Sequence, residues 1–114
     1  MTILEILKIV AGIATILTGL FSLIWPLQVR GFTGLEVVGG RGVTEIRAIL
    51  GGFFIGLGAA VIILNEPAAY QTLGIAYLVV AVVRTISMFV DKSVVQSNII
   101  SVIAEVILGV ILIL

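Results

Sequence analysis

Four runs of apolar residues divide the chain, each close to the roughly 20 residues needed to cross a hydrocarbon core of about 30 Å. The first goes from about Ile3 to Trp25 and is stopped by Pro26, with Trp25 suited to the aromatic belt at a membrane surface. The second covers about 45–64 and ends at Asn65, Glu66 and Pro67; the third covers about 68–90 and ends at Asp91, Lys92 and Ser93. The fourth begins near Ser97 and reaches Leu114. Runs of this kind predict transmembrane α-helices. The tight second and third connections make consecutive helices antiparallel neighbours. The expected fold is all-α: one integral membrane antiparallel four-helix bundle over residues 1–114.

The one sizeable connection, Leu27 to Thr44, holds Gly31, Gly34, Gly39, Gly40 and Gly42. Its Leu35–Val38 part is too short to span anything, so it is expected at the membrane surface or folded back onto the bundle. Before the second run, Thr44 reads as the helix N-cap with Glu45 in the first turn. The glycines around Arg41 superficially resemble an anion cradle, but their spacing fits no phosphate-binding fingerprint. The first run lacks a basic leader and is longer than the apolar core of a signal peptide, so it reads as a retained helix.

Within the runs, small and polar residues recur three and four apart, which puts them on one helix face. The stripe on the first run is Glu5, Lys8, Gly12, Thr15, Gly19 and Ser22. On the third run it includes Tyr70, Gly74, Tyr77, Ala81, Arg84 and Asp91, and on the fourth Asn98, Ser101, Glu105 and Gly109. The second offers two faces, one through Gly52 and Gly56 and one through Gly51 and Gly58. Lipid is as apolar as leucine, so small and polar residues mark the sides that pack on other helices. Gly52 and Gly56 are expected as packing residues. The hydroxyls of Thr15, Thr18 and Ser22 are expected to bond back to their own helix, and Glu5 and Lys8 to form a rim salt bridge.

Composition removes several function classes. Of the 114 residues, 61% are hydrophobic and 11% charged, which leaves nothing to cover a soluble domain. Six basic and six acidic residues cancel, so no net charge recruits nucleic acid or anionic lipid. Without His or Cys there is no thiol chemistry and no imidazole base, and no cofactor or metal site is indicated. No nucleophile–base motif is visible, so an enzyme is the minor expectation, with Tyr70 and Tyr77 its only aromatic polar groups on the inner stripe.

Charge within the spans is where chemistry is expected. A charge at bilayer depth costs roughly 2.5–3.5 kcal/mol on insertion scales, so it marks a functional site with a partner. Arg84 stands about 10 Å and Glu105 about 12 Å from the same connection at 1.5 Å per residue. Similar depth on neighbouring antiparallel helices is the geometry of an ion pair. Glu45 and Arg47 enter from the same side, and Asp91 stands at the rim. Binding residues are therefore expected at Glu45, Arg47, Arg84, Asp91 and Glu105. Two readings stay open: a buried pair that only fixes helix packing, or a water-accessible pocket that binds a small polar solute or relays a proton through Glu105.

The run Gly-Arg-Gly-Val-Thr-Glu-Ile-Arg-Ala-Ile-Leu-Gly-Gly at 40–52, with Arg84, Asp91 and Glu105, resembles a family of small bacterial four-helix membrane proteins. That family is catalogued as a domain of unknown function and is loosely similar to DoxX-like proteins. The resemblance implies that Glu45, Arg47, Arg84 and Glu105 are the family's charged positions, and it brings no activity with it.

The expected function is solute binding or transport. The alternative is an accessory subunit, with partners among the bilayer, a small polar ligand, a second copy or a membrane complex. Basic residues Arg30, Arg41, Arg47, Arg84 and Lys92 lie in or near the first and third connections. The positive-inside rule then puts those connections in the cytoplasm and both termini outside, in a bacterial inner membrane.

Overall fold

A computed structural model describes every residue from Met1 to Leu114. All elements are helical: α1 (Ile3–Ile24), α2 (Val29–Thr33), α3 (Gly39–Leu64), α4 (Pro67–Val90) and α5 (Gln96–Ile113). There are no strands, as the hydropathy pattern requires. Helices α1, α3, α4 and α5 are each long and apolar enough to cross a membrane. The chain forms two compact units, Ile9–Leu64 and Met1–Lys8 with Asn65–Leu114.

In the Ile9–Leu64 unit, α1 and α3 run antiparallel with their backbones touching. A Cβ added to Gly19 would stand 2.6 Å from the Gly51 carbonyl oxygen, and one on Gly12 3.0 Å from Ile62. Gly51 itself packs on Leu23, and Gly58 on Ile16. Close approach of this kind is how helices gain contact in lipid. The expectation about faces is corrected here: Gly51 and Gly58 are the buried pair, whereas Gly52 and Gly56 are exposed. The added Cβ meets nothing within 4 Å at Gly56. The α1 hydroxyls behave as expected, Thr15 donating to the Ala11 carbonyl at 2.9 Å and Thr18 to Ala14 at 2.9 Å.

The start of α3 is also corrected. It begins at Gly39 rather than at about Glu45, so the glycine-rich stretch is helical and forms no cradle. Thr44 lies inside the helix, its hydroxyl donating to the Gly40 carbonyl at 3.1 Å, and so it is not the N-cap. Two contacts hold this weak helix former in place: Val37 packs against Gly42, and Arg41 pairs with Glu45 one turn on. Residues Ile46–Phe53 widen into a π-helical stretch, a rare form found mostly where a helix is locally adjusted.

In the second unit, α4 and α5 form an antiparallel hairpin. A Cβ on Gly74 would stand 2.9 Å from the Gly109 carbonyl oxygen. Their turn has a Schellman-like closure: the Ser93 N–H donates to the Met88 carbonyl at 2.9 Å, with Lys92 at φ +52°. At the other end the Tyr70 hydroxyl donates to Asn65 at 3.0 Å, and the Lys8 ammonium lies 6.0 Å from the Tyr70 ring centre. Glu5 does not bridge forward to Lys8 as expected. Its carboxylate accepts from the Thr2 N–H while the Thr2 hydroxyl accepts from the Glu5 N–H, a capping box that serves the unpaired donors of the α1 start.

Candidate functional site

Arg84 lies on α4 between buried Ala81 and Met88, on the face that meets α5. Glu105 lies on the matching face of α5, one turn before buried Gly109. The tight Asp91–Val95 connection fixes the two helices in register, and the pair forms across them. Arg84 Nε donates to Glu105 Oε1 at 2.9 Å and Oε2 at 3.2 Å, and Nη2 donates to Oε2 at 2.9 Å. Such a two-pronged contact matches the planar fork of guanidinium to carboxylate.

A third contact widens the clamp. Nη1 of Arg84 donates to the Asn98 side-chain oxygen at 3.1 Å, and the Asn98 amide donates to the Ser93 carbonyl at 2.9 Å. Asn98 thus ties the guanidinium to the α4–α5 turn. Its spacing from Glu105 puts it on the inner stripe, but an amide among hydroxyls on that stripe does not stand out in the sequence. The signal that marks it is its position two turns before Glu105 on one face.

The pair is not sealed. The Glu105 side chain keeps 12% of its surface, but that of Arg84 keeps 33%. Expectation of a buried ion pair is corrected to a half-buried one: the carboxylate is inside and the guanidinium edge is open. Of the five guanidinium N–H hydrogens, those on Nε, one on Nη1 and one on Nη2 are engaged, which leaves two.

The other expected residues stand apart from this clamp or in the other unit. Asp91, at the end of α4, is exposed and accepts from the Ser87 hydroxyl instead of meeting Arg84. In the Ile9–Leu64 unit, Glu45 pairs with Arg41 on the surface, and Arg30 pairs with Glu36 at 3.3 Å. Arg47 is exposed and makes no hydrogen bond or ion pair. No group of acidic side chains comes together as a metal site.

This arrangement can orient a carboxylate or another oxyanion at the open edge of Arg84, and it can hold two helices together. Similarity to known proteins adds a family and no more. One family model matches residues 3–114, and its description is Domain of unknown function (DUF4345). No curated protein and no solved structure matches the chain.

Proposed function

The chain belongs to the DUF4345 family, and we propose that it is an integral membrane protein whose Arg84–Glu105 clamp binds, and in the fuller form transports, a small polar solute carrying an oxyanion. One observation carries this reading: Arg84 keeps a third of its side chain open and two N–H hydrogens unused while Glu105 holds its other edge. An incoming carboxylate or phosphate fits that open edge with the same geometry that Glu105 uses. It draws the guanidinium toward itself, and a carboxylate so released is free to take a proton. Asn98 keeps the guanidinium aimed during the exchange. Asp91, at the rim, is one carboxylate along the approach; Glu45 and Arg47 belong to the wider set of charged positions of this reading.

The test uses proteoliposomes with a trapped pH-sensitive dye, challenged with gradients of succinate and of inorganic phosphate. Wild-type protein is expected to show solute-driven proton movement that Glu105→Gln abolishes. Equal movement in Glu105→Gln, or none with either solute, removes the transport form. Binding is then read as thermal stabilisation by the same solutes, expected in wild type and absent in Arg84→Gln.

The same reading places the protein in a bacterial inner membrane as a relative of DoxX-like proteins, with both termini outside. It rests on the 40–52 run and on the basic residues of the first and third connections.

A second reading is an accessory subunit in which the pair only fixes helix packing. It is supported by the absence of any buried side-chain polar atom without a partner, so no buried group of the clamp calls for a ligand. Isolation from native membranes separates the two: a stoichiometric partner favours the subunit, and a lone monomer or homo-oligomer the solute binder.

A further inference from the structure

The connection between α1 and α3 presents a mixed apolar and basic surface that the clamp does not use. Trp25, Leu27, Phe32, Leu35 and Val38 are each at least half exposed, between 50% and 86%. Val29 is buried, so the segment is anchored from beneath while its large side chains point away. An outward row of this size in a short segment would cost heavily in water.

The pairing of α1 with α3 sets the level of this segment. Gly51 packs on Leu23, next to the last residue of α1, so the α3 residues before it run beyond the α1 end. From Gly39 to Leu50 that is about 15–18 Å. Arg47, one turn before Gly51, falls near the level of Leu27, about one turn or less past Trp25. Arg30 and Arg41 are neutralised by Glu36 and Glu45, whereas Arg47 alone has an exposed guanidinium with no partner on the chain. An unpaired arginine cannot remain cheaply in hydrocarbon. The edge of the acyl region therefore lies at the level of Trp25 and Arg47. At that level, flanked by two apolar spans, the occupant of the Trp25–Phe32 part of the exposed row is the lipid interface.

We propose that residues 25–32 lie in the headgroup layer as an in-plane anchor, with Trp25, Leu27 and Phe32 dipping toward the acyl chains and Arg47 holding the phosphate of an anionic lipid. This rests on the membrane character of the chain and is independent of any solute at Arg84. Aromatic side chains favour this layer, and a single basic residue near an anionic surface adds about fivefold in lipid preference.

The chain has one Trp and no Cys, which makes the test direct. Trp25 fluorescence is read in vesicles whose lipids carry bromine near the glycerol end or near the chain terminus. The shallow bromine is expected to quench more. Brominated phosphatidylglycerol diluted into phosphatidylcholine is expected to occupy the Trp25 neighbourhood about fivefold more than brominated phosphatidylcholine, and Arg47→Gln is expected to erase that preference at unchanged depth. Stronger quenching by the deep bromine, or a lipid preference that persists in Arg47→Gln, overturns the proposal. A second readout needs no arginine: a polarity-sensitive dye on Leu27→Cys is expected to emit as in an apolar medium, and water-like emission overturns the anchor. Absence of quenching by either lipid would instead remove the membrane assignment itself.

Discussion

Gly74 and Gly109 face each other where α4 and α5 cross, and neither position has room for a side chain. A Cβ on Gly109 would lie 2.7 Å from Leu78 and 3.2 Å from the Gly74 carbonyl oxygen. The clamp between Arg84 and Glu105 depends on this approach, because it sets how near the two helices come.

Gly74→Val or Gly109→Val is therefore expected to destabilise the α4–α5 hairpin by about 1–3 kcal/mol, the usual cost of overpacking. Reversible unfolding in mixed detergent micelles measures it. Gly56→Ala is the control, since its Cβ would meet nothing, and it is expected to be neutral or slightly stabilising.

The α4–α5 turn stores a removable cost. Lys92 holds φ +52°, a region that disfavours a Cβ. Lys92→Gly is expected to raise stability by up to about 1 kcal/mol in the same unfolding measurement, since glycine is the preferred residue at this position of a Schellman closure. A loss would show that the lysine side chain contributes more than the backbone does.

Helix α3 starting at Gly39 makes two neighbouring glycines respond in opposite directions. Gly40 is helical with open space around it, so Gly40→Ala is expected to gain a few tenths to about 1 kcal/mol. Gly34 sits at φ +76° as the α2 cap, so Gly34→Ala is expected to lose about 1 kcal/mol. If residues 39–44 were a turn, both substitutions would be unfavourable.

How much of this could be read from the sequence depended on which force decided each feature. Spans α1, α4 and α5 were legible because lipid demands a fixed length of apolar residues, and Pro26, Pro67 and the Asp91–Ser93 group punctuate them. The meeting of Arg84 with Glu105 was legible because a tight turn fixes antiparallel register, and equal depth then follows from helical rise. The α3 start was not, because glycine propensity points to a turn while the Val37–Gly42 contact and the Arg41–Glu45 pair hold a helix there. Nor was the choice of Gly51 over Gly52, which are adjacent and equally small. Packing against Gly19 and Leu23 and the π-helical stretch decide it, and neither leaves a trace in periodicity. Exposure of the Arg84 edge was likewise out of reach, being a property of how Asn98 and Glu105 share one guanidinium.

Orientation gives a further prediction. In a chain free of cysteine, Val38→Cys and Lys92→Cys are expected to react with an impermeant maleimide only from the cytoplasmic side, and Asn65→Cys only from the outside. The opposite pattern in spheroplasts and inverted vesicles would reverse the topology. Labelling of all three from one side would contradict the crossing of α3 and α4.

The claim on which the rest depends is that Arg84 and Glu105 stabilise each other across α4 and α5. A double-mutant cycle tests it most directly, with unfolding free energies for wild type, Arg84→Gln, Glu105→Gln and the double variant in one bilayer mimic. A coupling of about 1–3 kcal/mol is expected, below the roughly 3–5 kcal/mol cost of breaking a fully buried pair because the guanidinium edge is open. Additive single losses, with no coupling between the two positions, would contradict the account.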